Sequence, residues 1–82
     1  MEEKRIAVAA IVIDDPDAVK EVNDVLHSCN DIIIGRMGIP YRERGISLIS
    51  VAIDASPDKI SSLTGRLGHI PGVSVKAAIS KK

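Results

Sequence analysis

Apolar residues fall into four short runs along the chain, separated by charged residues, glycine and proline. The run Ile6–Ile13 is apolar at every position, which is typical of a central strand buried on both faces. The segments Ile32–Ile39 and Ile46–Ile53 are also mostly apolar, and we expect them to form a hairpin across a charged turn at Pro40–Gly45. In Val73–Ile79 apolar and polar residues alternate, as in a half-buried strand.

Two further segments have the start signals and the apolar spacing of helices. Asp15 can cap a helix whose first residue is Pro16, and Ser56 and Pro57 repeat this arrangement. Gly68 is expected to end the second helix. Apolar residues then recur at helical spacing: Ala18, Val19, Val22, Val25, Leu26 and Cys29 in the first helix, and Ile60, Leu63, Thr64 and Leu67 in the second.

The resulting order, βαββαβ, predicts an α+β fold of the ferredoxin-like class. In this fold a four-stranded antiparallel sheet with strand order 4-1-3-2 carries both helices on one face. The 82 residues are too few for more than one domain, so we assign residues 1–82 to a single one. Thirteen Ile and eight Val, with no Phe or Trp, predict a strand-rich core built from branched aliphatic side chains.

The sheet face without helices should be unusually apolar for a monomer. The first strand places Ile6, Val8 and Val12 on one face, and the other face of the same strand is apolar as well. The third strand is likewise apolar on both of its faces. Because a bare apolar patch of this size usually marks an interface, we expect a homodimer or homotetramer, formed through this face or through a sheet edge.

Charge and cysteine content narrow the classes of partner. Eleven basic and eleven acidic residues cancel, so no electrostatic footprint for nucleic acid or for an anionic membrane is expected. The single cysteine, Cys29, cannot form an internal disulfide, which fits a reducing compartment. Ile6–Ile13 is too short to cross a bilayer. We therefore expect a cytoplasmic chain that binds neither membranes nor nucleic acid.

No group of residues has the pattern of a catalytic or metal site, so we expect no enzyme activity and no cofactor. His27 is predicted to be solvated, His69 to lie in a loop, and Cys29 to belong to the apolar stripe, without visible catalytic partners. Their spacing does not match that of zinc ligands. The cluster of Asp14, Asp15 and Asp17 is explained by helix capping more readily than by a bound cation.

Arg36, Arg42 and Arg44 are expected to cluster with Tyr41 around the hairpin. In ferredoxin-like domains that bind RNA, the open sheet presents aromatic residues to the bases, and the predicted strands here contain none. A solvated hairpin tip is the simpler interpretation. Gly35 and Gly38 indicate a bulge or a close backbone approach within the second strand.

Two segments carry a family resemblance that covers nearly the whole chain. Gly35–Tyr41 reads Gly-Arg-Met-Gly-Ile-Pro-Tyr, and Leu63–Val73 contains Leu-Thr-Gly-Arg-Leu-Gly-His-Ile-Pro-Gly. Both resemble the small ACT-like regulators of the iron-only hydrogenase system, which are also similar to the C-terminal domain of nickel-responsive repressors. The resemblance implies a regulatory role, an oligomer built through sheets, and a small effector or a protein partner.

The resemblance does not extend to every ligand set of these families. The first strand-to-helix turn, Asp14-Asp15-Pro16, has no glycine of the kind many amino-acid-binding ACT domains carry. No predicted strand contains His or Cys, so nickel binding is not expected. The candidates for ligand or interface contact are Asp14, Gly35, Arg36, Met37, Gly38, Pro40 and Tyr41. The alternative is a purely structural assembly domain, in which the same residues only shape an edge strand and a subunit contact.

Overall fold

Residues 3–81 are described by a computed structural model, which contains four strands and two helices. Met1, Glu2 and Lys82, which belong to the domain assigned from the sequence, lie outside the described residues. The elements are β1 (Arg5–Ile13), α1 (Val19–Ser28), β2 (Ile33–Tyr41), β3 (Ile46–Ala55), α2 (Pro57–Gly68) and β4 (Val73–Ile79), with short 3-10 turns at Pro16–Ala18, Asn30–Ile32 and Arg42–Arg44.

The four strands form one antiparallel sheet in the order β2-β3-β1-β4. This is the predicted order 4-1-3-2 read from the other edge, and the ferredoxin-like fold is confirmed. The central strands β1 and β3 pair along their full lengths, from Arg5 opposite Ala55 to Ile13 opposite Ser47. The edges of the sheet are β2 and β4.

The core lies between the sheet and the two helices. On β1 the odd-numbered residues from Ala7 to Ile13 are buried, and the even-numbered residues are exposed. The predicted stripes of both helices face this layer: Val22, Leu26, Ile60, Leu63 and Leu67 are at most 1% exposed. Cys29 packs against the core from its margin and is partly buried. Both helices therefore cover the same face of the sheet, as the sequence predicts.

The predicted helix caps are present, with a local difference in the first. The Asp15 carboxylate accepts a hydrogen bond from the backbone N–H of Asp17 at 3.0 Å, and the turn it caps is a 3-10 turn that leads into α1. The Ser56 hydroxyl accepts from the backbone N–H of Lys59 at 3.4 Å, at the start of α2. Pro16 and Pro57 each stand in the first turn that follows the cap.

Replacing Ser56 by alanine should lower the free energy of unfolding by about 1 kcal/mol, because a helix N–H then loses its side-chain acceptor. Ser56 is 5% exposed, so its hydroxyl stands in a position that water does not readily occupy. Urea denaturation of the wild type and of Ser56→Ala measures the difference. Ser56→Thr keeps the acceptor and is the matched control. If Ser56→Ala and Ser56→Thr lost the same free energy of unfolding, the fit of the side chain at this position would matter more than the capping hydrogen bond.

The second strand is longer and starts later than the sequence predicts. Residues 30–32 form a 3-10 turn, and β2 continues through Pro40 to Tyr41, which pair with Ser47 and Ile46. The predicted turn at Pro40–Gly45 is therefore wrong at its first two residues. An edge strand tolerates proline because one of its sides needs no ladder partner. The reversal itself ends at Gly45, whose φ of 65° is in the left-handed region.

The two glycines of β2 differ in how their positions pair with β3. A register shift between Ile33 and Gly35 inserts Ile34 as an extra residue, so the predicted bulge is present at Gly35. At Gly38 the pairing is regular, and an added Cβ would meet no atom within 4 Å. Close backbone approach is therefore not the reason for glycine at Gly38. The position borders open space.

The turn before β4 packs against the turn after β1. The backbone N–H of Asp14 donates to the carbonyl of Gly72 at 2.9 Å. Gly72 has a φ of 82°, and a Cβ built there would lie 2.5 Å from the Cβ of Asp15. Only glycine satisfies both conditions, because its backbone reaches this φ without strain and it has no side chain to place.

Candidate functional site

The candidate residues of β2 are divided between the two faces of the sheet. Residues paired across strands share a face, and Val51 and Ile49, the partners of Arg36 and Gly38, lie on the helix side. Pro40 follows the same alternation. By the same pairing Gly35, Met37 and Tyr41 lie on the open face. The segment 35–41 therefore contributes to two surfaces.

The open sheet face is apolar across three of its strands. Its exposed apolar side chains are Ile6, Val8 and Val12 from β1, Met37, Ile39 and Tyr41 from β2, and Leu48 from β3. Their exposed fractions run from 36% to 63%. The surplus apolar surface predicted for this face is thus present, and β2 extends it beyond the strands named from the sequence.

Charge on the open face is sparse and balanced. Among the strand positions of this face, Asp54 lies opposite Ile6 on β3, and Lys76 lies opposite Ala10 on β4. These two residues, one of each sign, are its charged members. The face therefore has no net charge that would repel a second face of the same kind.

Tyr41 stands at the end of the open face where β2 finishes. Its side chain is 41% exposed, and its hydroxyl donates to the Glu43 carboxylate at 3.1 Å, within the same hairpin turn. Because the turn itself holds the hydroxyl, the ring is fixed with part of its surface still accessible. Such a half-exposed aromatic with its polar end satisfied is typical of an interface residue.

A cleft of about 260 Å³ lies on the helix side of β2. Val19 and Asn23 of α1 line one wall. The other wall is formed by residues of β2 and β3, which are Arg36, Gly38, Ile39, Pro40, Ser47, Leu48 and Ile49. Sequence reasoning missed Val19 and Asn23 as members of a site. They are distant from β2 in the chain, and no sequence signal marks them, because only the packing of α1 on the sheet brings them to Gly38.

Arg36 lies beside this cleft and away from the hairpin turn. Its guanidinium donates to the side-chain oxygen of Asn23 on α1 at 3.1 Å. The predicted cluster of three arginines at the hairpin is therefore wrong for Arg36, although Arg42 and Arg44 do lie in that turn. In the described part of the chain, no carboxylate lies within ion-pair distance of Arg36.

Asp14 follows β1 and lies outside both surfaces. Ile13 pairs with Ser47, which in turn pairs with Pro40, so the ends of β1 and β2 lie at the same end of the sheet, separated by β3. Two strand spacings of about 5 Å place them about 10 Å apart. Asp14 is exposed, and its described bond is the backbone contact to Gly72.

Cys29 and His69 line neither surface, whereas His27 lies one turn along α1 from Asn23 and lines a smaller pocket with Gly35 and Arg36. His27 is exposed on α1, and His69 is exposed just after α2. The Cys29 thiol accepts a hydrogen bond from the guanidinium of Arg66 at 3.4 Å, which links the end of α1 to α2. Within residues 3–81, no group of three or more His, Cys, Asp or Glu residues is placed to hold a metal ion.

Comparison with known proteins identifies the family. Residues 5–77 match the family described as "TM1266-like: Iron-only hydrogenase system regulator, putative". The chain belongs to the TM1266-like family. It is similar to the solved structure of uncharacterized protein TM1266 from Thermotoga maritima, with a TM-score of 0.92 and 38% sequence identity over 96% of this chain and 100% of that one. The family resemblance predicted from the two sequence segments is confirmed.

Two other structures share the fold of this TM1266-like chain at low identity. The C-terminal domain of the MgtC protein from Mycobacterium tuberculosis has a TM-score of 0.72 at 20% identity, over 94% of this chain and 88% of that one. A formyltetrahydrofolate deformylase from Pseudomonas putida KT2440 has a TM-score of 0.63 at 13% identity, over 89% of this chain and 28% of that one. These similarities concern the fold alone. No curated protein matches the chain significantly.

Neither helix of the TM1266-like chain, within the described residues, has both the length and the apolar character needed to cross a bilayer. The longer one, α2, has 12 residues, whereas a spanning helix needs about 20.

Proposed function

We propose that this chain is a non-enzymatic regulatory module of the iron-only hydrogenase system in the cytoplasm, and that it works as a homo-oligomer joined through its open sheet face. The apolar open face carries the proposal, since exposed apolar side chains on three adjacent strands are expensive to leave in water. The family description supports the regulatory part. Neither histidine nor Cys29 lies in an arrangement that would support catalysis.

A second copy of the chain is the occupant that fits this face best. The face is apolar at its centre and carries one acidic and one basic residue toward its margins, Asp54 and Lys76. A face that is neutral and carries both signs can meet its own copy without repulsion. A partner protein with a strongly charged surface would find few groups to pair with there.

The size of the face predicts a reversible dimer. Four strands about 4.8 Å apart and about seven residues long cover on the order of 400 Å². Stable complexes bury about 800 Å² of accessible surface on each partner, so contact through this face alone falls below that size and corresponds to a weak, transient association. We therefore expect a monomer–dimer equilibrium in the micromolar range. An effector or partner that favours one state would shift that equilibrium, which is the proposed regulatory step.

A purely structural assembly domain remains the second candidate. It is favoured by the position of Met37 and Tyr41, which lie among the apolar residues of the open face and not in the cleft. Under this alternative the oligomer forms in the same way, but no small molecule changes the fraction of chains that are in the oligomer.

Replacing Val8 by lysine should convert the dimer to a monomer. Val8 lies on the central strand β1, between Ala52 and Ala78 on the neighbouring strands, and is 45% exposed. A charge there would be buried without a partner in a face-to-face dimer, and it would remain solvated in the monomer. Light scattering over a range of chain concentrations measures the mass.

The matched control is Ser61→Lys, which adds the same charge at an exposed position of α2, on the opposite side of the molecule. It should leave the mass unchanged at every concentration, and circular dichroism should show the same fold in both variants. A wild-type mass equal to one chain at all concentrations would contradict the proposed dimer. If the wild type and Val8→Lys both had the mass of an oligomer, the interface would have to lie on another part of the molecule.

A further inference from the structure

The cleft between α1 and β2 is open because two consecutive helix-side positions of β2 lack a flexible side chain. Gly38 has no side chain, and an added Cβ would meet nothing within 4 Å. Pro40, the next residue on this side, has only its short ring as a side chain. A strand position opposite the partly buried Ile49 would ordinarily carry an apolar side chain that packs under the helix. The space that such a side chain would fill is the cleft.

The cleft combines apolar walls with one cationic group. Val19, Pro40 and Ile49 supply apolar surface, and Ser47 and Asn23 supply polar atoms at its lining. Among residues 3–81, Arg36 is the only charged residue that lines it, and no carboxylate pairs with Arg36. The bond to Asn23 holds the guanidinium beside the cleft and uses one of its five N–H donors.

We infer that this cleft binds a small monocarboxylate with a short apolar body. A guanidinium presents parallel N–H donors that match the two oxygens of a carboxylate, and the apolar body would contact Val19, Pro40 and Ile49. The volume of about 260 Å³ lies just below the range of about 300–1,000 Å³ found for drug-sized ligands, which favours a small metabolite. Inorganic phosphate has no apolar body to contact these walls, so it should bind more weakly than such an acid.

This inference deepens the proposed function, on which its regulatory meaning rests, because it assigns the effector a class and a site. Most of the site lies on the helix side of the edge strand, and the proposed dimer contact lies on the open face, but Ile39 and Leu48 of that face also line the cleft. The strand β2 contributes alternate residues to both. A ligand that fixes Arg36 and Gly38 would thus also order Met37 and Ile39, their neighbours on the dimer face.

Titration of the protein with isovalerate and phenylacetate, followed by amide chemical shifts in NMR spectra, tests the binding site. We expect millimolar affinity, with perturbations concentrated in α1 around Asn23 and in β2 around Gly38. Phenylacetamide, which has the same body without the charge, should bind at least tenfold more weakly. Inorganic phosphate should also bind more weakly than either acid.

Two variants with one control separate the parts of the site. Gly38→Val fills the cleft with a side chain that strands favour and should abolish the perturbations. Arg36→Gln should weaken binding at least tenfold, whereas Arg42→Gln removes the same charge from the hairpin turn and should leave it unchanged. Equal affinity in Gly38→Val and the wild type, perturbations confined to the open face, or none at millimolar acid would overturn the inference. Tighter binding of phosphate than of either acid would overturn the assigned class.

The same titration on Val8→Lys distinguishes this inference from the proposed dimer. Perturbations of the cleft that persist in this variant support the site whether or not the wild type dimerises. A wild type that dimerises, yet shows no perturbation with either acid, rejects the site and leaves the dimer standing.

Discussion

Replacing Gly72 by alanine should lower the free energy of unfolding by about 2–5 kcal/mol. A residue with a Cβ is strained in the left-handed region by about 1–2 kcal/mol, and Gly72 has a φ of 82°. The new methyl would also lie 2.5 Å from the Cβ of Asp15, and overpacking of this kind costs about 1–3 kcal/mol. For a domain of this size, the loss corresponds to a fall in Tm of roughly 10–30 °C. Thermal and urea denaturation measure it.

The hairpin glycine Gly45 supplies the control for this prediction. Its φ of 65° is also in the left-handed region, but a Cβ there would meet nothing within 4 Å. Gly45→Ala should therefore lose only the conformational part, about 1–2 kcal/mol. If both variants lost the same free energy of unfolding, the added methyl at position 72 would meet no steric obstacle. The close approach of Gly72 to Asp15 would then be wrong.

Truncation of Leu67 to alanine should cost about 2–5 kcal/mol, because the lost side chain leaves a cavity that the surrounding residues fill only in part. Leu67 is fully buried at 0% exposure, between α2 and the sheet. An 82-residue domain has a total stability of roughly 4–12 kcal/mol, so this variant should unfold at much lower urea concentration or fail to fold at 37 °C.

Ile39→Ala is the control for Leu67→Ala and separates folding from association. Ile39 is 52% exposed on the open face, so the folded monomer should lose no more than about 0.5 kcal/mol. The same change removes apolar surface from the proposed interface and should shift light-scattering masses toward one chain. If Ile39→Ala proved as destabilising as Leu67→Ala at concentrations where the chain is monomeric, Ile39 would be a core residue and the open face would not be open.

The fold could be predicted because the sequence repeats its local signals. Asp15 and Ser56 each precede a proline and an apolar stripe, and the structure shows that both accept the expected backbone hydrogen bond. The full apolar run Ile6–Ile13 identified the central strand without any knowledge of its partners. Such signals are local. The right-handed crossover rule then places both helices on one face of the sheet, which fixes the topology.

The second strand was harder to predict, for two physical reasons. Proline usually ends a strand, and Pro40 is tolerated because β2 lies at the edge of the sheet, which a local pattern does not reveal. Ile34 is the extra residue of a bulge, so the alternation of faces changes between Ile33 and Gly35. Counting alternate residues from the start of the strand therefore assigns the wrong face to everything after the bulge.

The candidate surfaces could be predicted only in outline. The apolar residues of β1 and β3 indicated the open face, and the structure adds Met37, Ile39 and Tyr41 from β2. The cleft was not predictable, because Val19, Asn23 and Gly38 meet only after α1 has packed on the sheet. Arg36 was assigned to the hairpin by proximity in sequence, and its bond to Asn23 across the fold overrides that proximity.

The position of Tyr41 determines what optical spectroscopy can detect in this molecule. Tyr41 is the single aromatic residue of the chain, which contains no Phe or Trp, and its ring lies at the end of the open face, remote from the aliphatic core. Ultraviolet absorption, intrinsic fluorescence and near-ultraviolet dichroism will therefore report the surroundings of that face and give little information on core packing. A change in tyrosine emission on dilution would signal dissociation of subunits while every helix and strand stays intact.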